Sequence, residues 1–148
     1  MRVVIGSDHA GFDLKETIKA LLERLGVPYE DVGADSTSSS DYPDFADAAA
    51  RAILAGRADR GILVCGTGIG MVIAANKIRG IRAALAWNEA TARLGRAHND
   101  ANIMTLGGRT TPRGDVEGIL RAFLTTEYEG GRHDGRLAKI TRLERKDT

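Results

Sequence analysis

Four short apolar runs limit what this chain can fold into: RVVIGS (2–7), RGILVC (60–65), IRAALAW (81–87) and NIMTL (102–106). Each lacks the in-out alternation of a half-exposed strand, so each needs cover on both faces, which a parallel sheet between two helix layers provides. The intervening segments supply the cover. Leu14, Ile18, Leu21, Leu22 and Leu25 recur at helical spacing up to Gly26, a helix-ending glycine. A weaker strand runs from Tyr29 to Val32, and a Ser-rich loop to Asp41 precedes Pro43, which suits the first turn of a helix from Asp44 to Ala55. MVIAANKI (71–78), a stretch near Glu89–Arg96, and a segment opened by Pro112 with Val116, Ile119, Leu120 and Phe123 complete the helices. The pattern predicts a three-layer, doubly wound, Rossmann-like α/β domain with a mainly parallel five-stranded sheet.

The 148 residues fit one domain, 1–148, with no linker or repeat; a chain of this size buries about 68–70% of its unfolded surface. The basic segment Arg132–Lys146 carries only Leu137, Ile140 and Leu143 as a thin apolar stripe. It is expected to be a helix, about 132–146, docked on a neighbouring subunit.

In a doubly wound sheet, ligands sit outside the carboxyl ends of the strands. SDHAG (7–11), CGTGIG (65–70), WNEA (87–90) and GGR (107–109) all follow strands, and HND (98–100) lies just before the fifth. A pocket is expected among them.

CGTGIG contains the only cysteine of the chain. Glycines after a strand let backbone N–H groups approach an anion, and the next helix N-terminus adds partial positive charge. The spacing Gly66-Thr67-Gly68-Ile69-Gly70 is not the dinucleotide fingerprint G-x-G-x-x-G, and no Gly-Lys-Ser/Thr follows as in a Walker loop. A phosphatase loop of the C-x5-R type requires Arg at position 71, where Met71 stands. Cys65 is open to two readings: a small buried hydrophobe at a strand end, or a thiolate stabilised by the glycine loop and serving as nucleophile or general base.

The other polar groups are equally double-edged. Asp8-His9 pairs an acid with a base but also suits a simple turn. His98 could cap the helix that ends near it. Arg132 and Arg136, four apart, can grip one phosphate from a shared helical face or merely solvate a basic tail. Arg109 follows two glycines, and His133 could point away from both neighbouring arginines.

Twenty-one basic residues against twenty acidic ones leave a formal charge of +1, which gives no reason to expect nucleic acid or an anionic membrane as partner. The first apolar run is too short for a signal peptide or a spanning helix. A single cysteine makes no intrachain disulfide and supplies no zinc set, so a cytoplasmic protein without a metal site is expected.

Taken in order, IGSDHAGFDLK, DYPDFA, CGTGIGM, IAANKIRGIRAAL, HNDANIMTLGGR and EGGRH resemble the ribose-5-phosphate isomerase B family, which includes isomerases of galactose 6-phosphate, allose 6-phosphate and tetrose phosphates. The resemblance covers nearly the whole chain. It implies aldose–ketose isomerisation, ribose 5-phosphate to ribulose 5-phosphate in the pentose phosphate pathway, with another sugar phosphate as the alternative substrate and a phosphocysteine carrier or nucleotide-binding module as a distant one. It further implies that Cys65 moves the proton between C2 and C1 of an enediolate. Some members use a glutamate at the position of Met71 instead, so this chain resembles the cysteine branch. By the same resemblance His98 opens the sugar ring, helped by Asp8 and Thr67. Gly66, Gly68, Ile69, Gly70 and Asn99 meet the oxyanion and Tyr42 lines the sugar pocket. His9, Arg109, Arg132 and Arg136 bind phosphate. No cofactor is implied, and the expected assembly is a homodimer or dimer of dimers with shared active sites.

Overall fold

The computed structural model describes residues 1–146. Five parallel strands form one sheet in the order β2-β1-β3-β5-β4. They are β1 (Val3–Ser7), β2 (Tyr29–Asp31), β3 (Arg60–Cys65), β4 (Ala83–Leu85) and β5 (Ile103–Gly107). The three runs that read as most continuously apolar are the three inner strands, and all of Val3–Ile5, Ile62–Val64 and Ile103–Leu106 is buried. Edge strands β2 and β4 are short and only partly covered, which is why IRAALAW yields only three strand residues.

Helices α1 (Phe12–Arg24), α2 (Tyr42–Leu54), α3 (Ile69–Asn76), α4 (Glu89–Asn99), α5 (Val116–Thr125) and α6 (Asp134–Leu143) complete the chain. One core joins Val3, Ile5, Ile62, Val64, Met104 and Leu106 to the apolar stripes of α1 and α5. The opposite core joins Val4, Leu63, Cys65 and Ile103 to Met71 and Ala75 of α3 and to the alanine face of α2. Ala46, Ala49 and Ala50 let α2 lie close against the sheet, whereas the first core uses larger side chains. Each fully buried Leu, Ile or Phe contributes about 1.5–3 kcal/mol relative to exposure.

Pro43 does lie in the first turn of α2, with Asp41 at the cap position, two residues earlier than the spacing indicated. The C-terminal segment departs more from expectation. Gly131–His133 forms a 3-10 turn and α6 begins only at Asp134, so Arg132 lies in the turn that leads into the helix and Arg136 in the helix itself, with Arg136 Nη1 donating to the Arg132 carbonyl at 3.5 Å. Gly130 and Gly131 both have positive φ, 64° and 59°, and this reversal delays the helix start. No residue of α6 is buried; Ile140 and Leu143 are 40% and 60% exposed. Among the described residues, no helix is long and apolar enough to cross a membrane.

Candidate active site

Cys65 is the last residue of β3 and faces Gly107 of β5 in the parallel register. Three hydrogen bonds fix the loop that follows. The Gly68 N–H donates to Cys65 Sγ at 3.2 Å, Thr105 Oγ1 donates to the Gly68 carbonyl at 3.0 Å, and the Ile69 N–H donates to Thr67 Oγ1 at 3.2 Å. Gly68 adopts φ 79°, and a Cβ there would stand 2.6 Å from Leu85 Cδ1. A side chain is excluded twice, by conformation and by space. The turn that aims the Gly68 N–H at the sulfur therefore depends on this glycine.

A cavity of about 890 Å³ opens over Cys65. Asp8, His9, Tyr42 and Arg109 line it together with Gly66, Thr67, Ile69 and Gly70. Tyr42 rests on the loop so closely that a Cβ on Gly70 would lie 2.7 Å from its ring. Arg109 is tethered from behind, its N–H donating to the Gly66 carbonyl at 2.9 Å, while the Gly108 N–H donates to the Cys65 carbonyl at 2.7 Å. The chain after β5 thus carries a guanidinium to the rim of the thiol loop.

The buried Asp8 accepts the Gly11 N–H on Oδ1 at 3.0 Å, closing the turn into α1. His9 is held by the Ser40 segment: its N–H donates to Ser40 Oγ at 3.1 Å and the Ser40 N–H reaches His9 Nδ1 at 3.2 Å. Nδ1 also lies 3.2 Å from the Ser40 carbonyl, so the backbone of Ser40 orients the ring through this nitrogen alone. Ser39, Ser40 and Asp41 complete this wall. Trp87, 70% exposed, lines a neighbouring apolar cleft of about 360 Å³ with Thr67 and Ile69. Asn88 is occupied as the cap of α4, accepting the Thr91 N–H at 2.9 Å.

The remaining site candidates form a second group. Helix α4 starts beyond the carboxyl end of β4 and returns to the opposite sheet edge before β5, a run of about 16 Å for 11 residues. His98 and Asn99 end that helix, so they do not line the cavity over Cys65, and neither do Arg132 and Arg136. The polar groups that the sequence places around one pocket are therefore divided within a chain. His98 instead stacks on His133, with ring centroids 4.4 Å apart and planes at 21°.

His133 does not point away. It is 6% exposed, and its Nε2 accepts from Arg132 Nε at 3.4 Å and lies 3.5 Å from Glu129 Oε2. The loop is anchored by the Glu129 N–H, which donates to the Ala97 carbonyl at 3.0 Å, and by Tyr128, whose hydroxyl donates to Asp134 Oδ1 at 2.6 Å. That bond pushes the Tyr128 phenol up to about 12. Sequence spacing had no means of finding His133, because its partner lies 35 positions earlier. Asn99 borders a separate cavity of about 600 Å³ with Arg82, Ile140 and Leu143.

A thiol that accepts a backbone N–H at a strand end, facing a cavity lined by acidic side chains, a histidine and an arginine in a parallel α/β sheet, suits an enzyme site, and comparison with known proteins narrows the class. Residues 3–140 match the model of the Ribose/Galactose Isomerase family. The chain is 43% identical to ribose-5-phosphate isomerase B of Escherichia coli (strain K12) over 145 residues, covering 98% of this chain and 97% of that one. Ribose-5-phosphate isomerase B of Clostridium thermocellum superposes with a TM-score of 0.98 at 45% identity, covering both chains fully (100% each). The Mycoplasma genitalium enzyme, solved with bound ribulose-5-phosphate, superposes with a TM-score of 0.92 at 39% identity, covering 98% of this chain and 97% of that one. This chain belongs to the Ribose/Galactose Isomerase family and is an isomerase.

Proposed function

We propose that the chain interconverts ribose 5-phosphate and ribulose 5-phosphate, a cytoplasmic step of the pentose phosphate pathway, by proton transfer at Cys65. The observation that carries this reading is the Gly68 N–H bond to Cys65 Sγ on the floor of a cavity that also holds His9 and Arg109. In the forward direction the sulfur takes the proton from C2 and returns it to C1. A proton moves from O2 to O1 as the carbonyl shifts, so the overall reaction adds and removes nothing. An α-proton becomes removable when fixed donors meet the developing oxyanion. The N–H groups of residues 66–70 are the candidate donors; those of Gly68 and Ile69 already hold Cys65 Sγ and Thr67 Oγ1 and fix the loop, so little reorganisation accompanies the step. Met71 is fully buried beneath the loop and offers no titratable atom, which leaves the base role to Cys65. The mechanism calls for no cofactor.

His98 opens the ring, with Thr67 and Asp8 assisting from the Cys65 side. Asn99 adds an oxyanion donor, and Arg132 and Arg136 join His9 and Arg109 on the phosphate. Because one chain keeps these two groups a helix length apart, the complete site is built from two copies, with one contributing the Cys65 cavity and the other His98, Asn99 and the arginine pair. The sparsely covered α6 and its exposed Ile140 and Leu143 suit a homodimer, or a dimer of dimers, with the whole of 1–148 acting as one isomerase domain.

The test is relative turnover on a panel of sugar phosphates. Ribose 5-phosphate should have the highest kcat/KM, ahead of allose 6-phosphate, galactose 6-phosphate and a tetrose phosphate. Preference for a four- or six-carbon sugar would move the assignment to that substrate.

A further inference from the structure

We propose that His133 is a positioning residue of the isomerase site: the face of its ring orients His98, and its edge orients Arg132. The inference rests on the reading that His98 opens the sugar ring and Arg132 binds phosphate. His98 stacks on His133 with centroids 4.4 Å apart and planes at 21°, within the spacing that offset aromatic pairs favour.

This contact uses the face of His98 and leaves its edge free. Among the described residues, no hydrogen bond or ion pair reaches either ring nitrogen of His98. Ring opening breaks the bond between C1 and the ring oxygen; the ring oxygen gains a proton and the C1 hydroxyl loses one. An imidazole can deliver the first and accept the second, provided that its nitrogens are not already engaged. A carboxylate on one nitrogen would fix a single tautomer. A stacked ring fixes orientation and leaves both nitrogens available.

The platform is held from behind. Arg96 Nε donates to the Thr126 carbonyl at 3.3 Å, and the Glu129 N–H donates to the Ala97 carbonyl at 3.0 Å. Both ties fall on the turn of α4 that carries His98, so backbone contacts set the distance between the two rings. His133 is only 6% exposed, which withdraws it from substrate and makes it act through its neighbours. A phenylalanine would supply the same face. It would lack the Nε2 edge, which accepts from Arg132 Nε at 3.4 Å. One ring thereby links the ring-opening group to a phosphate-binding one.

The experiment separates ring opening from proton transfer. Ribulose 5-phosphate has its 5-hydroxyl esterified and stays open-chain, so exchange of its C1 hydrogen in deuterium oxide needs the Cys65 step alone. Conversion of ribose 5-phosphate, a closed hemiacetal, needs both steps. His133→Gln removes the ring face and keeps an amide acceptor. It should lower kcat for ribose 5-phosphate roughly 10²-fold, the effect of about 1 Å of misplacement, and leave C1 exchange in ribulose 5-phosphate close to the wild-type rate. His133→Phe keeps the face, so it should retain most of kcat and raise KM roughly 10-fold, as for loss of one hydrogen bond. Equal loss of conversion and exchange in a folded His133→Gln protein, or loss of kcat in His133→Phe, overturns the proposal; where His133→Gln does not fold, His133→Phe decides. His98→Asn is the reference and should itself lose conversion but keep exchange. If it loses both or neither, the ring-opening reading of His98 falls; if only His133→Gln fails to separate the two, the positioning role alone falls.

Discussion

The Gly68 N–H points at the sulfur of Cys65 from 3.2 Å, and that bond exists only because Gly68 holds φ at 79°. Gly68→Ala puts a Cβ against Leu85 Cδ1 and the Leu106 backbone. Left-handed backbone costs a non-glycine residue about 1–2 kcal/mol, which lowers Tm by about 2–8 °C in a chain of this size. The variant should lose more in kcat than in KM, because the donor acts on the reacting groups. Thermal melting and steady-state kinetics check this, and unchanged kcat would remove the loop from catalysis.

Arg109 hangs at the cavity rim on a backbone bond to Gly66. Charge-assisted hydrogen bonds contribute about 1.5–3 kcal/mol, so Arg109→Ala should raise KM for a phosphorylated sugar by roughly 10- to 100-fold with kcat much less affected. Competition by inorganic phosphate should weaken in parallel. An unchanged KM would take Arg109 off the phosphate.

The division of the site between two groups predicts complementation. Cys65→Ala and His98→Asn should each be nearly inactive alone. Mixed dimers contain one intact pairing of Cys65 and His98, so co-refolding equal amounts should restore roughly a quarter of wild-type activity, the statistical share for random two-fold pairing. No recovery in proven mixed dimers would place both residues in a site made by one chain.

Acid stability should centre on Asp31. Burial alone would raise its carboxyl, but hydrogen bonds from Lys15 at 2.8 Å, Lys19 at 2.8 Å and the Gly33 N–H at 2.9 Å hold it below the usual carboxylate range. A depressed folded value stabilises the fold above the unfolded value of about 3.9, and that stability is lost as pH falls through the folded value. Asp31→Asn should flatten this acid limb. It should also cost on the order of 3 kcal/mol near neutral pH, because the fully buried Lys15 would lose its close counter-ion and keep the Ala34 carbonyl, the Phe12 ring face, a more distant Glu16 carboxylate at 3.9 Å and a neutral amide oxygen. Denaturant melts across pH 3–7 check both the slope and the offset.

How far the sequence could be read follows from where each signal originates. The inner strands were legible because burial on both faces leaves no polar residue in VVI, ILV or the run through Ile103–Leu106 except Thr105, whose hydroxyl is needed by the Gly68 carbonyl. Cys65, Gly68, His9 and Arg109 were legible because strand ends share one sheet edge whatever the details of packing, whereas Tyr42, at the start of α2, came from the family resemblance alone. His98 and Asn99 precede a strand, and only the direction of α4 shows that this puts them on the other edge. The 3-10 turn that holds Arg132 ahead of α6 was not legible, because a pair of left-handed glycines, not apolar spacing, marks where it starts. The Asn88-x-x-Thr91 cap was available in the sequence and would have excluded Asn88 from the pocket wall.

The central claim is that Cys65 moves a proton between C2 and C1, and turnover in heavy water tests it most directly. Converting ribose 5-phosphate in deuterium oxide with the wild-type protein should yield ribulose 5-phosphate carrying deuterium at C1, and Cys65→Ala should remove most of both turnover and label, on the order of 10²- to 10⁴-fold for loss of a general base. Rapid conversion with no deuterium at C1, as in a direct hydride shift, or a fully active Cys65→Ala variant, would contradict it.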